Sequence, residues 1–217
     1  MVTRQVSNEA FLQKLFRHFR SRRMRLFERM LHVSSRTRVL DVGGSPLIWE
    51  FASIQPRLTI LNLPSAIERS YDHIGFMAGD ARMLPFRDAA FDVVFSNSVI
   101  EHVGDRAAQR RFAEEIARVG RQFWIQTPNR HFPIELHVML PMIHYFPKSW
   151  QRSIVNRFTV WEKIVRPTEQ CRAFYVHHFL EELNLLDARE LQSLFPDAKV
   201  ISETVFGLSK SLIAVRA

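Results

Sequence analysis

The residues best suited to chemistry fall in two stretches. In the first, Asp41-Val42-Gly43-Gly44-Ser45-Pro46, an apolar run ends on an acid and breaks into two glycines. Such a turn lets backbone approach a ligand where a Cβ would intrude, with the next helix N-terminus turned toward an anion. Ser45 suits an N-cap and Pro46 a first helical turn. Read alone, the turn serves many nucleotide-binding folds. The second stretch, Gln126–His137, gathers His131, Glu135 and His137, with His144 further on. Side chains of this kind accept a proton from a hydroxyl nucleophile or ligate a metal. The Glu-x-His spacing is not that of a helical zinc site, so a base is expected ahead of a metal. Hydrogen bonds that merely hold a lid in place are the competing reading. His102, in Ile100-Glu101-His102-Val103, is a further candidate base.

The elements that must position these residues alternate. Val39–Val42, Leu58–Leu63, Gly75–Ala78, Phe91–Phe95 and Gln122–Gln126 read as strands, with helices expected over Leu47–Ser53, Ser65–Tyr71 and Arg106–Arg118. Strand–helix alternation predicts an α/β fold, with a parallel sheet covered on both faces. Lys199–Phe206 and Ser211–Val215 flank Gly207-Leu208 and predict an antiparallel terminal hairpin. Residues 128–185, rich in His, Phe, Trp and Pro, are too long for an ordinary loop and are expected to form a helical lid. The lid begins at the carboxyl end of the fifth strand, where ligands of open α/β sheets lie. His177 and His178 read as packing or surface residues.

The order of motifs resembles the class I S-adenosylmethionine-dependent methyltransferases. It runs from Asp41-Val42-Gly43-Gly44-Ser45-Pro46 and Leu58–Leu63 to Gly79-Asp80-Ala81, Leu84-Pro85-Phe86, Phe91–Phe95 and Glu101-His102-Val103. In particular it is similar to a bacterial branch with a DVGG-x-P first motif and an LLNL-like second strand. The resemblance implies a Rossmann-like seven-stranded sheet, mostly parallel, with an antiparallel last strand, helices on both faces, an N-terminal helix and a lid insert. It implies S-adenosylmethionine as cofactor. Asp41, Gly43, Gly44 and Ser45 would meet its amino-acid moiety, Asn62 and Leu63 the ribose, Asp80 and Ala81 the adenine, and Asn97 and Ser98 the methyl end. The chain departs from the general pattern at Ser45 and Leu47, where glycines are usual, and at Asn62, where an acid is usual. Asp80 has a competing role as the cap of the turn into Arg82, Asn62 as a turn residue before Pro64, and His102 as packing beneath the cofactor. Asp92 reads as structural.

The 217-residue chain has a formal charge of +8, and residues 1–38 hold ten basic and two acidic side chains. The whole excess therefore lies in the N-terminal segment, and the rest is neutral. Leu12, Leu15, Phe16, Phe19, Leu26, Phe27, Met30 and Leu31 recur at helical spacing. Residues 1–37 are thus expected to form a basic amphipathic helical segment ahead of a methyltransferase domain over 38–217. Its apolar face either packs on the domain or, over residues 11–31, meets an anionic membrane. The localised charge speaks against a nucleic-acid partner. A single cysteine, Cys171, and the arginine-interrupted N-terminus predict a cytoplasmic protein, with the membrane periphery as the alternative. The expected activity is methyl transfer to a small-molecule, lipid or glycan acceptor. A catalytically degenerate binding module and an RNA methyltransferase are the alternatives.

Overall fold

The computed structural model describes residues 17–64, 74–135, 140–147, 149–151, 153 and 183–217. The helix expected over Ser65–Tyr71, His137, His177, His178 and most of the insert lie outside them. In chain order the strands are β1 (Arg38–Val42), β2 (Arg57–Asn62), β3 (Gly75–Ala78), β4 (Phe91–Asn97), β5 (Gly120–Pro128), β6 (Ile134–Glu135), β7 (Leu140–Pro141), β8 (Lys199–Val205) and β9 (Leu208–Arg216). Seven of them form one sheet in the order β3-β2-β1-β4-β5-β9-β8. β1 runs parallel to both β2 and β4, and β2 to β3; β8 and β9 are antiparallel. The expected Rossmann-like topology is therefore present. The small β6–β7 pair inside the insert was not anticipated.

Central position explains the composition of β1 and β4. Val39, Leu40, Asp41 and Val42 are all fully buried, as are Val93, Val94 and Phe95. Strands covered on both faces read as continuous apolar runs rather than as alternation.

Among the described residues, the helices with defined bounds are α1 (17–30), α2 (Pro46–Trp49), α3 (Arg106–Val119) and α4 (Ala188–Leu194), and residues 149–151 and 153 are also helical. α2 stops well short of the expected Ser53. The Glu28 carboxylate accepts the Ser53 and Ile54 amides at 2.6 and 3.0 Å and the Ser53 hydroxyl as well. Those donors are thereby held outside a continued helix. α4 escaped the sequence reading although its capping box is explicit: the Asp187 side chain accepts Glu190 N–H at 2.9 Å while the Glu190 carboxylate accepts Asp187 N–H at 2.8 Å.

The chain divides into two compact units. The first comprises residues 1–97, 115–124 and 216–217, so α1 shares a unit with β1–β4. Phe27 of α1 packs edge-on against Phe95, Trp124 and Trp49, with ring centroids 5.0, 5.8 and 6.0 Å apart. Met24 and Phe27 place the middle of the α1 apolar face in the core, with Phe19, Leu26 and Met30 half-buried. Arg118 secures the segment before β4 by donating to the Leu84 and Phe86 carbonyls and pairing with Glu115 and Asp88. Asp92 is structural, as expected: it accepts the Arg38 amide at 2.9 Å and pairs with its guanidinium at 2.7 Å.

The second unit comprises residues 98–114 and 125–215. Here Gln109 of α3 donates to the Ile100 and Asn184 carbonyls, and Glu190 of α4 pairs with Arg106 and Arg130. No helix among the described residues is long and apolar enough to cross a membrane.

Candidate functional site

β1 delivers Asp41 to the start of the glycine turn, and the two glycines serve different needs. Gly43 has φ +73° and donates its amide to the Leu61 carbonyl at 2.7 Å, a left-handed turn that favours glycine. Gly44 is required by proximity, since a Cβ there would lie 1.9 Å from Asp41 Oδ2. Ser45 caps α2 by accepting Leu47 N–H at 3.3 Å, with Pro46 in the first turn as expected.

Asp41 itself is wholly buried. Its Oδ2 accepts the Trp49 indole N–H at 2.7 Å, whereas Oδ1 has no hydrogen-bond partner among the described residues. Burial pushes the carboxyl up to about 7, against the opposing effect of the Trp49 bond. A buried acceptor left without a donor is costly, and this one lies directly beneath the turn.

The ends of β2, β3 and β4 converge on the same edge. Asn62 donates Nδ2 to the Gly44 carbonyl at 3.1 Å and accepts Leu63 N–H on Oδ1 at 2.9 Å. One amide side chain thus clips the glycine turn to the end of β2 and leaves Leu63 half-exposed. The Asn62 carbonyl accepts Gly79 N–H at 2.9 Å, which brings the Gly79-Asp80-Ala81 segment alongside. Asp80 accepts the Arg82 amide at 2.8 Å and pairs with its guanidinium at 2.7 Å, so the turn-capping role is realised. Ser96 Oγ donates to the Val42 carbonyl at 2.9 Å and ties β4 to the end of β1. Asn97 Oδ1 accepts a hydrogen bond from the Arg23 guanidinium of α1, and Arg23 is only 7% exposed. Sequence reasoning missed Arg23. Its signal was an arginine four residues before Phe27, in phase with the apolar face.

In the second unit, Ser98 takes φ +57°, with its amide donating to the Gln126 carbonyl at 2.9 Å. The candidate bases have separate settings. His102 is half-buried at the end of a 3-10 turn (Ile100–His102). Its neighbour Glu101, which was not singled out, is fully buried and accepts the Thr127 hydroxyl at 3.0 Å. His131 is exposed, with Nε2 3.8 Å from Asp187 Oδ2. Asp187 lies below the usual carboxylate range, chiefly because it accepts the Glu190 amide, and Arg130 at 2.6 Å adds to this. Glu135 lies on β6, and His137 is outside the described residues. His144 is half-buried against Tyr145, ring centroids 4.2 Å apart. The Asn129 amide and side chain bond the Lys210 and Ser209 carbonyls at 3.0 Å each, holding the exit of β5 against the start of β9.

A family profile described as "Methyltransferase domain" matches residues 58–122. A protein of Mycolicibacterium smegmatis, described as "Probable S-adenosylmethionine-dependent methyltransferase", is 30% identical over 114 residues. That match takes in 48% of this chain and 43% of the relative, less than half its length. Among solved structures, Haemonchus contortus phosphoethanolamine N-methyltransferase 2 in complex with S-adenosyl-L-methionine superposes with a TM-score of 0.53 at 13% identity, covering 82% of this chain and 37% of that one. A chain of the Haloferax volcanii complex containing the Trm112 methyltransferase activator gives 0.51 at 16% identity, covering 84% and 83%. At such identities these structures speak for the fold.

Proposed function

We propose that this chain is a class I S-adenosylmethionine-dependent methyltransferase, a reading supported by the methyltransferase profile over residues 58–122 and by the 30% identical relative, and that it transfers the cofactor's methyl group to a small-molecule, lipid or glycan acceptor. The observation that carries this reading is the bond from Asn62 to the Gly44 carbonyl. It joins the glycine turn to the end of β2 and so gathers one edge from separate strands, which supports reading that edge as the cofactor site.

The donor set fits the cofactor. Beyond its two bonds Asn62 keeps one amide hydrogen and one carbonyl lone pair for ribose hydroxyls. The Gly43–Ser45 turn lets backbone approach closely. Arg23, at the exit of β4, suits a carboxylate by charge-assisted hydrogen bonding. S-adenosylmethionine supplies an already activated methyl group on a sulfonium, so alignment and exclusion of water can provide much of the acceleration.

Residues 128–185 shape access for the acceptor in this reading. His131, with the Asp187 carboxylate 3.8 Å away, receives the acceptor's proton in this reading; Glu135, His137 and His102 are the alternatives. The experiment is incubation of the purified chain with methyl-tritiated cofactor and separate lipid, glycan and small-molecule fractions. Label in one fraction identifies the acceptor class, and its absence from all of them goes against transfer.

One observation favours the non-catalytic alternative: the Asp80 carboxylate is already engaged by Arg82. A module of that kind would not bind the cofactor, which separates the two readings by titration alone.

A further inference from the structure

α1 presents two unlike faces. Met24, Phe27 and Leu31 are buried in the core of their unit, and Glu28 is occupied by Ser53 and Ile54. On the opposite side His18, Arg22, Arg25 and Arg29 recur at intervals of four, three and four, and all four are exposed. That spacing makes one row along the helix, about 16 Å long at 1.5 Å per residue. Arg29 Nε donates to the Arg25 carbonyl at 3.3 Å, which keeps the row along the helix axis. Among the described residues no carboxylate pairs with Arg22, Arg25 or Arg29.

Like charges three and four residues apart repel one another. An uncompensated row of arginines therefore weakens its own helix unless an anion covers it. Nothing dilutes the charge elsewhere, since the entire formal excess of +8 resides in residues 1–38. The row is also purely cationic: its apolar counterpart is spent in the core, so it has no side chains with which to enter hydrocarbon.

We infer that the Arg22–Arg25–Arg29 row seats the protein on an anionic lipid bilayer by charge alone. A straight row on a convex helix can touch a plane of headgroups along its whole length, and each arginine near such a surface adds to the attraction. This differs from the amphipathic insertion suggested by sequence, because Met24 and Phe27 of α1 are buried in the core and unavailable to lipid. A single-stranded nucleic acid is less well matched, since the row carries no Phe, Tyr or Trp on which bases could stack. The inference stands independently of the methyl acceptor.

The test is co-sedimentation of the full chain with phosphatidylcholine vesicles, with and without phosphatidylglycerol, at low and high salt. Binding is expected only to the anionic vesicles, with release at high salt. The triple variant Arg22→Glu, Arg25→Glu, Arg29→Glu should weaken it on the order of 100-fold, with an unchanged thermal midpoint. Arg57→Glu, Arg110→Glu, Arg111→Glu is the control, because it changes net charge equally at other exposed arginines and should retain binding. The inference is overturned by equal loss in both triples, by salt-insensitive binding to neutral vesicles, or by failure to bind anionic vesicles at low salt. It is overturned equally if the row variant loses affinity for polyuridylate while vesicle binding is unaffected.

Discussion

The Trp49 indole N–H donates at 2.7 Å to Oδ2 of Asp41, eight residues earlier in the chain. α2 is a single turn, and this bond fixes it over a fully buried carboxyl group. Trp49→Phe keeps the ring and removes the donor. It should destabilise the fold by about 1–3 kcal/mol, the usual cost of stranding a buried acceptor, as read by urea unfolding.

The same carboxyl gives stability an unusual pH dependence. Its folded value is raised from 3.8 to about 7 by burial. Between those values the folded protein holds a proton that the unfolded chain has released. The contribution of Asp41 to stability is therefore full below 3.8, falls as pH rises and is gone above about 7. Asp41→Asn, which cannot ionise, should flatten this component of the stability profile between pH 4 and 7. An unaltered profile would mean that Asp41 titrates normally.

Gly44 and Asp41 should be coupled. Gly44→Ala forces a methyl group into the carboxylate and is expected to cost roughly 1–3 kcal/mol, in the range of overpacked cores. In the Asp41→Ala background the obstruction is gone, so the same change should cost far less. Additive effects in the double-mutant cycle would remove the steric explanation for this glycine.

Arg23 should distinguish the two ends of the cofactor. Arg23→Met is expected to weaken S-adenosylhomocysteine by about 10- to 100-fold, as for loss of a hydrogen bond to a charged group. It should leave 5′-methylthioadenosine, which lacks the amino-acid carboxylate, unaffected. Equal loss for both ligands would make Arg23 a support for Asn97 rather than a carboxylate partner.

For the transfer step, His131→Asn should lower the rate by about 10²- to 10⁴-fold, as for loss of a positioned base, while homocysteine-ligand affinity is kept. An unchanged rate would move the proton acceptor to Glu135, His137 or His102, or make a base unnecessary.

The sheet was legible because β1 and β4 carry short buried apolar runs, Val39-Leu40 and Val93-Val94-Phe95, close to glycine and polar signals, a pattern imposed by burial on both faces. The Ser45 cap and the terminal hairpin were legible through local turn chemistry. What escaped the sequence depends on contacts between distant residues. Nothing near Leu47–Ser53 announces that Glu28, on another helix, will take the donors that end α2. Asn62 read as a weakened ribose ligand or a turn residue; its bond to Gly44 becomes visible only once β1 and β2 are in register. Arg23 looked like part of a basic interruption, and its phase with Phe27 gained meaning only when the helix had a core to face.

The most direct measurement is calorimetric titration of the chain with S-adenosylhomocysteine, alongside Asn62→Ala. Micromolar binding, weakened by the substitution that unclips the glycine turn from β2, is expected if this edge is the cofactor site. No binding at millimolar ligand would contradict it and leave a methyltransferase fold that serves as a non-catalytic module.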